Sequence, residues 1–159
     1  MKTDFILQNK YFNSLLCELR VLEQNRIYCK HDISHLVEVA RIMLQINNNK
    51  GLGIPHDILV ATALLHDLGR VNEYKFGIDH RIAGIKDITI ILSDCGYTSK
   101  EIDIVIDAIK KHKDNSTDTL NSLLYNADKL SRPCYTCKAI NTCKWDKNLQ
   151  NKRYYNENR

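Results

Sequence analysis

The chain has 159 residues, the length of one typical domain, and can bury roughly 68–70% of the surface that its unfolded form exposes. Its formal net charge is +4, but the residues from Lys144 onward carry +3 of this, so the preceding body is close to neutral. A neutral body argues against nucleic acid as the main partner, and the absence of a stretch of about 18 apolar residues excludes a membrane span.

The first half of the chain predicts two helices. Apolar residues near position 40 have the spacing of one buried helical face: Leu36, Val39, Ile42, Met43 and Ile46. The polar run 47–51 predicts the end of this helix. Pro55 suits the first turn of the next helix, which we expect to run from about Asp57 to Leu68. Gly69 suits a left-handed position after it.

The second half also favours helices. Residues 87–92 are rich in β-branched side chains and could form a strand, but no second strand candidate is present, so we expect a buried helix that begins near Asp79. Thr98 and Glu101 have the spacing of a capping box, which predicts a helix from Thr98 to Lys113. Residues 114–118 predict a polar loop and residues 120–130 a further helix. The expected fold class is therefore all-α.

Metal-capable side chains are spread over almost a hundred residues, each on or beside a predicted helix: His35, His66, Asp67, His80, His112 and Asp128. A single one is more often a cap or a hydrogen-bonding partner than a ligand. However, Asp67 and Asp128 lie in apolar sequence, where an unpaired buried carboxylate is costly and a divalent cation would remove that cost. The joint pattern predicts a metal centre assembled by tertiary folding.

The order of these residues resembles the HD superfamily of metal-dependent phosphohydrolases. That family has a His near the start of one helix, a His-Asp pair at the end of the next apolar helix, and a distant Asp. Here the matching segments are HLVEVA with His35, LLHDLG with His66 and Asp67, and YNADKL with Asp128, within roughly residues 25–132. The resemblance implies an HD-type helical bundle in which these four residues hold one ion.

In the two-metal members of that family, histidines at the places of His80 and His112 hold a second ion. The resemblance therefore implies a dinuclear site in which Asp67 bridges the ions and acts in catalysis. His31 stands four residues before His35 and could share its helix face; we expect it to support a ligand rather than to bind metal. His56, beside Pro55, is expected at the surface.

Hydrolysis of a phosphate ester is the chemistry that the resemblance implies. The ligand set suits Fe, Mn, Zn, Co or Ni without choosing among them. A divalent ion lowers the pKa of the water it binds from 15.7 towards ~7, which supplies hydroxide at neutral pH. Arg70, Lys113 and Arg132 each lie near a proposed ligand in sequence, and they are predicted to neutralise phosphate oxygens.

The resemblance also implies a small nucleotide-type substrate, with a dinucleoside tetraphosphate as a first trial. Two alternatives stay open. Some members of the superfamily with six such ligands hold a di-iron centre and oxidise a carbon–hydrogen bond with dioxygen. A non-catalytic sensor of metal or nucleotide would bind its ligand without turnover. The oligomeric state is not predicted.

The six cysteines form a second motif. Without an export signal they favour metal binding or free thiols over a disulfide framework. Cys134, Cys137 and Cys143 have the spacing C-x2-C-x5-C, and tetrahedral zinc or an iron–sulfur cluster requires a fourth ligand, for which Cys29 is the candidate. The alternative is a loop of reduced cysteines. Cys17 and Cys95 lie in apolar helical stretches and are expected in the core.

The domain organisation follows from these segments. We expect residues 1–132 to form the helical domain and residues 133–159 to form a Cys-rich basic tail that packs on it. The tail could touch nucleic acid, although a solvated end is the simpler interpretation. The N-terminal residues lack an apolar run of seven or more, which predicts a cytoplasmic protein.

Overall fold

The computed structural model describes residues 1–111 and 119–151, and within these ranges the chain is helical and contains no strand. Its helices are α1 (Lys2–Gln8), α2 (Lys10–Leu22), α3 (Ile33–Lys50), α4 (His56–Leu65), α5 (Arg70–Phe76), α6 (His80–Ala83), α7 (Ile85–Asp94), α8 (Ser99–Lys110) and α9 (Leu120–Leu130). Three short 3-10 turns follow, Cys134–Thr136, Ile140–Thr142 and Lys147–Leu149. None of the described helices is long and apolar enough to cross a membrane. The all-α prediction is confirmed.

Helix α3 has the predicted buried face, with Leu36, Val39, Ile42 and Met43 all buried. It continues through Lys50 and ends within the polar run 47–51, as predicted. Asn47 is buried, and its side chain accepts from the backbone N of Ile54 at 3.1 Å and donates to the backbone O of Ile54 at 3.3 Å. The helix then ends at Gly51, which has a left-handed φ of 60°.

Helix α4 ends at Leu65, before the predicted end, and Gly69 is not left-handed, since its φ is −61°. The prediction of a left-handed Gly69 was wrong. A Cβ atom at Gly69 would lie 1.9 Å from the backbone O of His80 and 2.8 Å from the N of Gly84. Glycine is therefore required because two backbone segments touch there, and this contact places His80 beside the turn that carries His66 and Asp67.

Residues 85–94 form a helix, as expected, rather than a strand. The single helix predicted from Asp79 is instead two helices, α6 and α7, which meet at Gly84. Gly84 packs so closely on Gly69 that a Cβ atom there would lie 2.9 Å from the Gly69 Cα. The boundary between α6 and α7 therefore lies at this close contact.

The predicted start of α8 is confirmed: Thr98 and Glu101 form a reciprocal capping box. The predicted end of that helix at Lys113, and the polar loop 114–118, lie outside the described residues. Helix α9 spans Leu120–Leu130 as predicted and carries Asp128.

Helix α4 lies at the centre of the core, where it packs against α1, α3, α8 and α9. Most of its side chains are buried, including Leu59, Ala61, Ala63, Leu64 and Leu65. Full burial of a single leucine stabilises a fold by about 1.5–3 kcal/mol. The turn that follows α4 is therefore attached to a helix that is buried in the core.

The two cysteines predicted in the core differ. Cys95 is buried at the end of α7, as expected, whereas Cys17 is exposed. The prediction for Cys17 was wrong because α2 buries a different face, formed by Phe12, Leu15 and Leu19. His56 is exposed at the start of α4, as expected.

The described part of the tail is held by polar contacts. Arg132 donates hydrogen bonds to the backbone O of Lys129 and of Leu149, and its guanidinium stacks on Trp145, 4.5 Å from the ring centroid. The buried Asn151 side chain donates to the backbone O of Lys129, Leu130 and Arg132. These bonds fold residues 132–151 back onto the end of α9.

The contact at Gly69 gives a first prediction. Gly69→Ala should lower the free energy of unfolding by about 3 kcal/mol, since its methyl group has to displace backbone. The control Gly51→Ala puts a Cβ atom into open space and should cost only the strain of a left-handed residue, about 1–2 kcal/mol. Urea unfolding in the presence of a chelator would measure both. Equal losses would contradict the proposed role of the contact.

Candidate metal centre

Four of the six predicted metal ligands converge in the structure. His35 from α3, His66 and Asp67 from the turn after α4, and Asp128 from α9 place one donor atom each within 4.8 Å of one another. The Oδ2 atom of Asp67 lies 3.0 Å from His66 Nε2 and 3.4 Å from His35 Nε2. Asp128 Oδ1 lies 3.5 Å from His35 Nε2. Two imidazoles and two carboxylates thus face one point.

The backbone and its neighbours orient both histidines. The His66 Nδ1 atom lies 2.7 Å from the backbone O of Ala63, one turn earlier. His35 follows the N-cap of α3, where the Asp32 side chain accepts a hydrogen bond from the His35 N–H, and its Nδ1 atom lies 3.2 Å from Ser131 Oγ. Since each Nδ1 atom is engaged in this way, the Nε2 atoms are the ones that point into the cluster.

The cluster suits a cation. His35 Nε2 is buried and has no hydrogen-bond partner among the described residues. Asp67 is 2% exposed. Burial acts to raise the pKa of the Asp67 carboxyl, but His66, His31 and Arg70 outweigh it and hold that pKa well below its usual range. A buried carboxylate that stays ionised among imidazole nitrogens is a donor set for a divalent ion.

Asp128 is also held in its ionised state. Burial raises its pKa, but the positive charges of His66 and Lys129 prevail and lower it. The Lys129 Nζ atom donates to Asp128 Oδ2 at 2.6 Å, which leaves Oδ1 directed at the histidines. Lys129 itself lies over the rings of Tyr125 and Trp145, at 4.8 and 4.9 Å. The tail therefore contacts the group that fixes this carboxylate.

The other oxygen of Asp67 faces a second group of side chains. Its Oδ1 atom accepts a hydrogen bond from Arg70 Nε at 2.7 Å and lies 3.7 Å from His80 Nε2. The opposite ring nitrogen of His80, Nδ1, lies 3.2 Å from Glu73 Oε1. Glu73, Asp79 and His80 also form a potential metal-binding group. His112 and Lys113 lie outside the described residues.

His31 lies just outside the four-residue cluster. Its Nδ1 atom lies 2.5 Å from Glu23 Oε1, and its Nε2 atom is 3.9 Å from Asp67 Oδ2. Burial acts to raise the pKa of Glu23, but the hydrogen bond with His31 and the charge of that ring lower it to about 2. A carboxylate behind a histidine is the usual arrangement around a metal centre.

Several supporting residues were absent from the sequence interpretation. Glu23, Glu73, Lys129 and Ser131 each contact a predicted ligand or its neighbour. Only Lys129 and Ser131 could have been identified from the sequence, because they lie within three residues of Asp128. Glu23 lies 8 residues from His31, at the end of an otherwise ordinary amphipathic helix.

A cavity of about 630 Å³ opens beside His35. Its wall combines the loop before α3 with the first residues of the tail, and it includes Tyr28, Lys30, Tyr135 and Lys138. Drug-sized ligands occupy cavities of roughly 300–1,000 Å³. The cavity can therefore hold a small molecule next to the cluster.

The three predicted phosphate-binding residues have different placements. Arg70 is half-buried beside Asp67 and bonds Glu73 through Nη1 at 3.1 Å. Arg132 is buried under Trp145 and bonds backbone carbonyls, so its predicted phosphate contact stays a prediction. Lys113 is outside the described residues. Of the cysteines, Cys134 is buried, whereas Cys29, Cys137 and Cys143 are half-buried, and all are free thiols.

Comparison with known proteins agrees with this geometry. Residues 32–133 match the model of the HD domain family. The chain is similar to an uncharacterised protein of Clostridium beijerinckii, with 35% identity over 150 residues that cover 94% of this chain and 96% of the relative. No solved structure matches it. Because the matched residues include His35, His66, Asp67 and Asp128, the chain belongs to the HD-domain family, a superfamily of metal-dependent hydrolases.

Proposed function

We propose that this protein is a metal-dependent phosphohydrolase that cleaves a nucleotide-type phosphate ester. The observation that carries the proposal is the buried cluster of His35, His66, Asp67 and Asp128, whose donor atoms lie within 4.8 Å of one another. A divalent ion held there would supply Lewis acidity and lower the pKa of the water that it binds. The surrounding residues fix the donors before substrate arrives.

Each carboxylate is oriented by a cation of this chain. Arg70 holds Oδ1 of Asp67, and Lys129 holds Oδ2 of Asp128, which leaves one oxygen of each directed at the histidines. Arg70 is also near enough to the cluster to bind a phosphate oxygen of the substrate, because a guanidinium can share its donors between two anions. Arg70 would thus neutralise charge that develops on the phosphate.

A second ion is part of the proposal. It would use Oδ1 of Asp67 together with His80, whose Nδ1 atom faces Glu73 in the way that supports a histidine ligand. His112 is the further ligand that the family resemblance implies. Arg70 already bonds Oδ1 of Asp67, so the second ion would share this oxygen with a guanidinium.

The cavity beside His35 supports a nucleotide as substrate. Tyr28 and Tyr135 line it and offer aromatic faces for a base. Its charged lining is balanced, with Lys30 and Lys138 beside Asp32 and Glu38. Stacking of a base on an aromatic side chain contributes about 1–3 kcal/mol. A base in this cavity would leave its phosphates near the metal cluster, because His35 belongs to both.

The metal cluster can be tested with Asp67→Asn, which preserves shape but removes the charge. We expect loss of the metal held by the His/Asp cluster and no detectable hydrolysis of a dinucleoside tetraphosphate or of other nucleotides, because the remaining ligands cannot balance the charge of the ion. Elemental analysis of protein purified without chelator would measure the metal. The control Asp57→Asn, on the half-buried start of α4, should retain both properties. Full activity in Asp67→Asn would refute the proposal.

The second ion can be tested with His80→Ala. We expect the metal held by the His/Asp centre, counted apart from any ion on the cysteines, to fall from about two ions per chain to about one. The exposed His56→Ala variant is the matched control and should keep both of these ions. A single ion in the His/Asp centre of the wild-type protein, unchanged in His80→Ala, would contradict the second ion and indicate a mononuclear centre.

The base-binding cavity can be tested with Tyr135→Ala. We expect kcat/KM for the nucleotide to fall about tenfold, mainly through KM, since stacking contributes about 1–3 kcal/mol. Activity on p-nitrophenyl phosphate, which has no base, should be largely retained. Phe76→Ala removes an aromatic side chain that is 69% exposed at the end of α5 and should leave both activities unchanged. A parallel loss on both substrates would contradict base stacking.

A further inference from the structure

The described part of the tail lacks an apolar core of its own. Within residues 131–151, Cys134 is the only buried apolar side chain; the other buried residues are Arg132, Gln150 and Asn151. Its regular structure is limited to 3-10 turns of three residues each. Segments this poor in hydrophobic burial are commonly stabilised by a disulfide or a metal ion. Cys29, Cys134, Cys137 and Cys143 are free thiols and are therefore available as metal ligands.

The structure brings the tail cysteines to the loop that carries Cys29. Cys29 and Cys137 line the same cavity, and the neighbouring Tyr28 hydroxyl donates to the backbone O of Thr142 at 3.1 Å. Cys134 and Cys137 lie close enough to Cys29 to act on its thiol. Cys143 directly follows Thr142, so its backbone also lies at this junction between two segments that are distant in sequence.

A buried cation stands at the same junction. Arg132 is 4% exposed, and its Nη1 atom has no hydrogen-bond partner among the described residues. Its positive charge acts on Cys29, where it lowers the pKa against the effect of burial. Thiolate ligands would provide both the negative charge and the hydrogen-bond acceptor that this guanidinium lacks.

From this arrangement we propose that Cys29, Cys134, Cys137 and Cys143 bind one zinc-type divalent ion, which fastens the tail to the loop before α3. Four thiolates at about 2.3 Å form the usual tetrahedral structural zinc site. The site is independent of the phosphohydrolase proposal, because it shares no ligand with the His/Asp cluster.

Binding requires the two segments to move closer together. Among the described residues, no three of these sulfur atoms lie within 4.8 Å of one another, whereas tetrahedral zinc ligation sets sulfur atoms ~3.8 Å apart. Residues 24–32 contain neither helix nor strand, and the cavity gives the ion a path to the thiols. The loop can therefore close around the ion without a change in the helical core.

Cobalt provides a direct test on the full chain. Co²⁺ added to the metal-free wild-type protein should produce the strong near-ultraviolet absorption of thiolate-to-cobalt charge transfer, which a centre of nitrogen and oxygen ligands does not give. Cys29→Ser and a Cys134→Ser/Cys137→Ser/Cys143→Ser variant should lose this band and about one zinc ion per chain. The controls Cys17→Ser and Cys95→Ser should keep both.

The same measurement separates this site from the His/Asp cluster. Asp67→Asn should retain the thiolate band even though it loses the metal of that cluster. Absence of the band in wild-type protein would overturn the proposal whether or not the serine variants fold. Iron together with acid-labile sulfide would also overturn it, because that result indicates an iron–sulfur cluster in place of a single divalent ion.

Discussion

The carboxylate of Asp67 is the group on which the rest of the centre depends. It is almost completely buried, and an isolated anion is costly in such an environment. Its pKa is nevertheless held well below the usual range. Histidines face one of its oxygens and Arg70 faces the other. The candidate metal ligands are therefore assembled around Asp67, with side chains from α3, α5, α6 and α9 in its surroundings.

Backbone packing provides the geometry that this charge balance needs. The turn after α4 can approach α6 only because Gly69 and Gly84 lack side chains, and this approach brings His80 within 3.7 Å of Asp67. The buried helix α4 anchors this turn in the core. The charge of Asp67 thus determines which residue types surround it, whereas close packing fixes the distances between them.

The tail is connected to the same centre. Trp145 lies over both Lys129 and Arg132, and Lys129 donates to the ligand Asp128. Tyr135 and Lys138 form part of the cavity beside His35. The short polar segment after α9 therefore completes one wall of the cavity and supports a carboxylate of the metal cluster, which gives a physical reason for its dense side-chain-to-backbone hydrogen bonding.

Local sequence indicated helices α3, α4, α8 and α9 and the residues of the central His/Asp cluster. Apolar spacing in α3 and the capping box at Thr98 are local signals, and a His-Asp pair in apolar sequence indicates a buried charge that needs a partner. Only the tertiary structure decided the close backbone contact at Gly69 and the exposure of Cys17. It also brought Glu23 to His31 and Glu73 to His80. Those contacts depend on which helix faces meet and how closely their backbones approach, and no local pattern in the chain encodes either quantity.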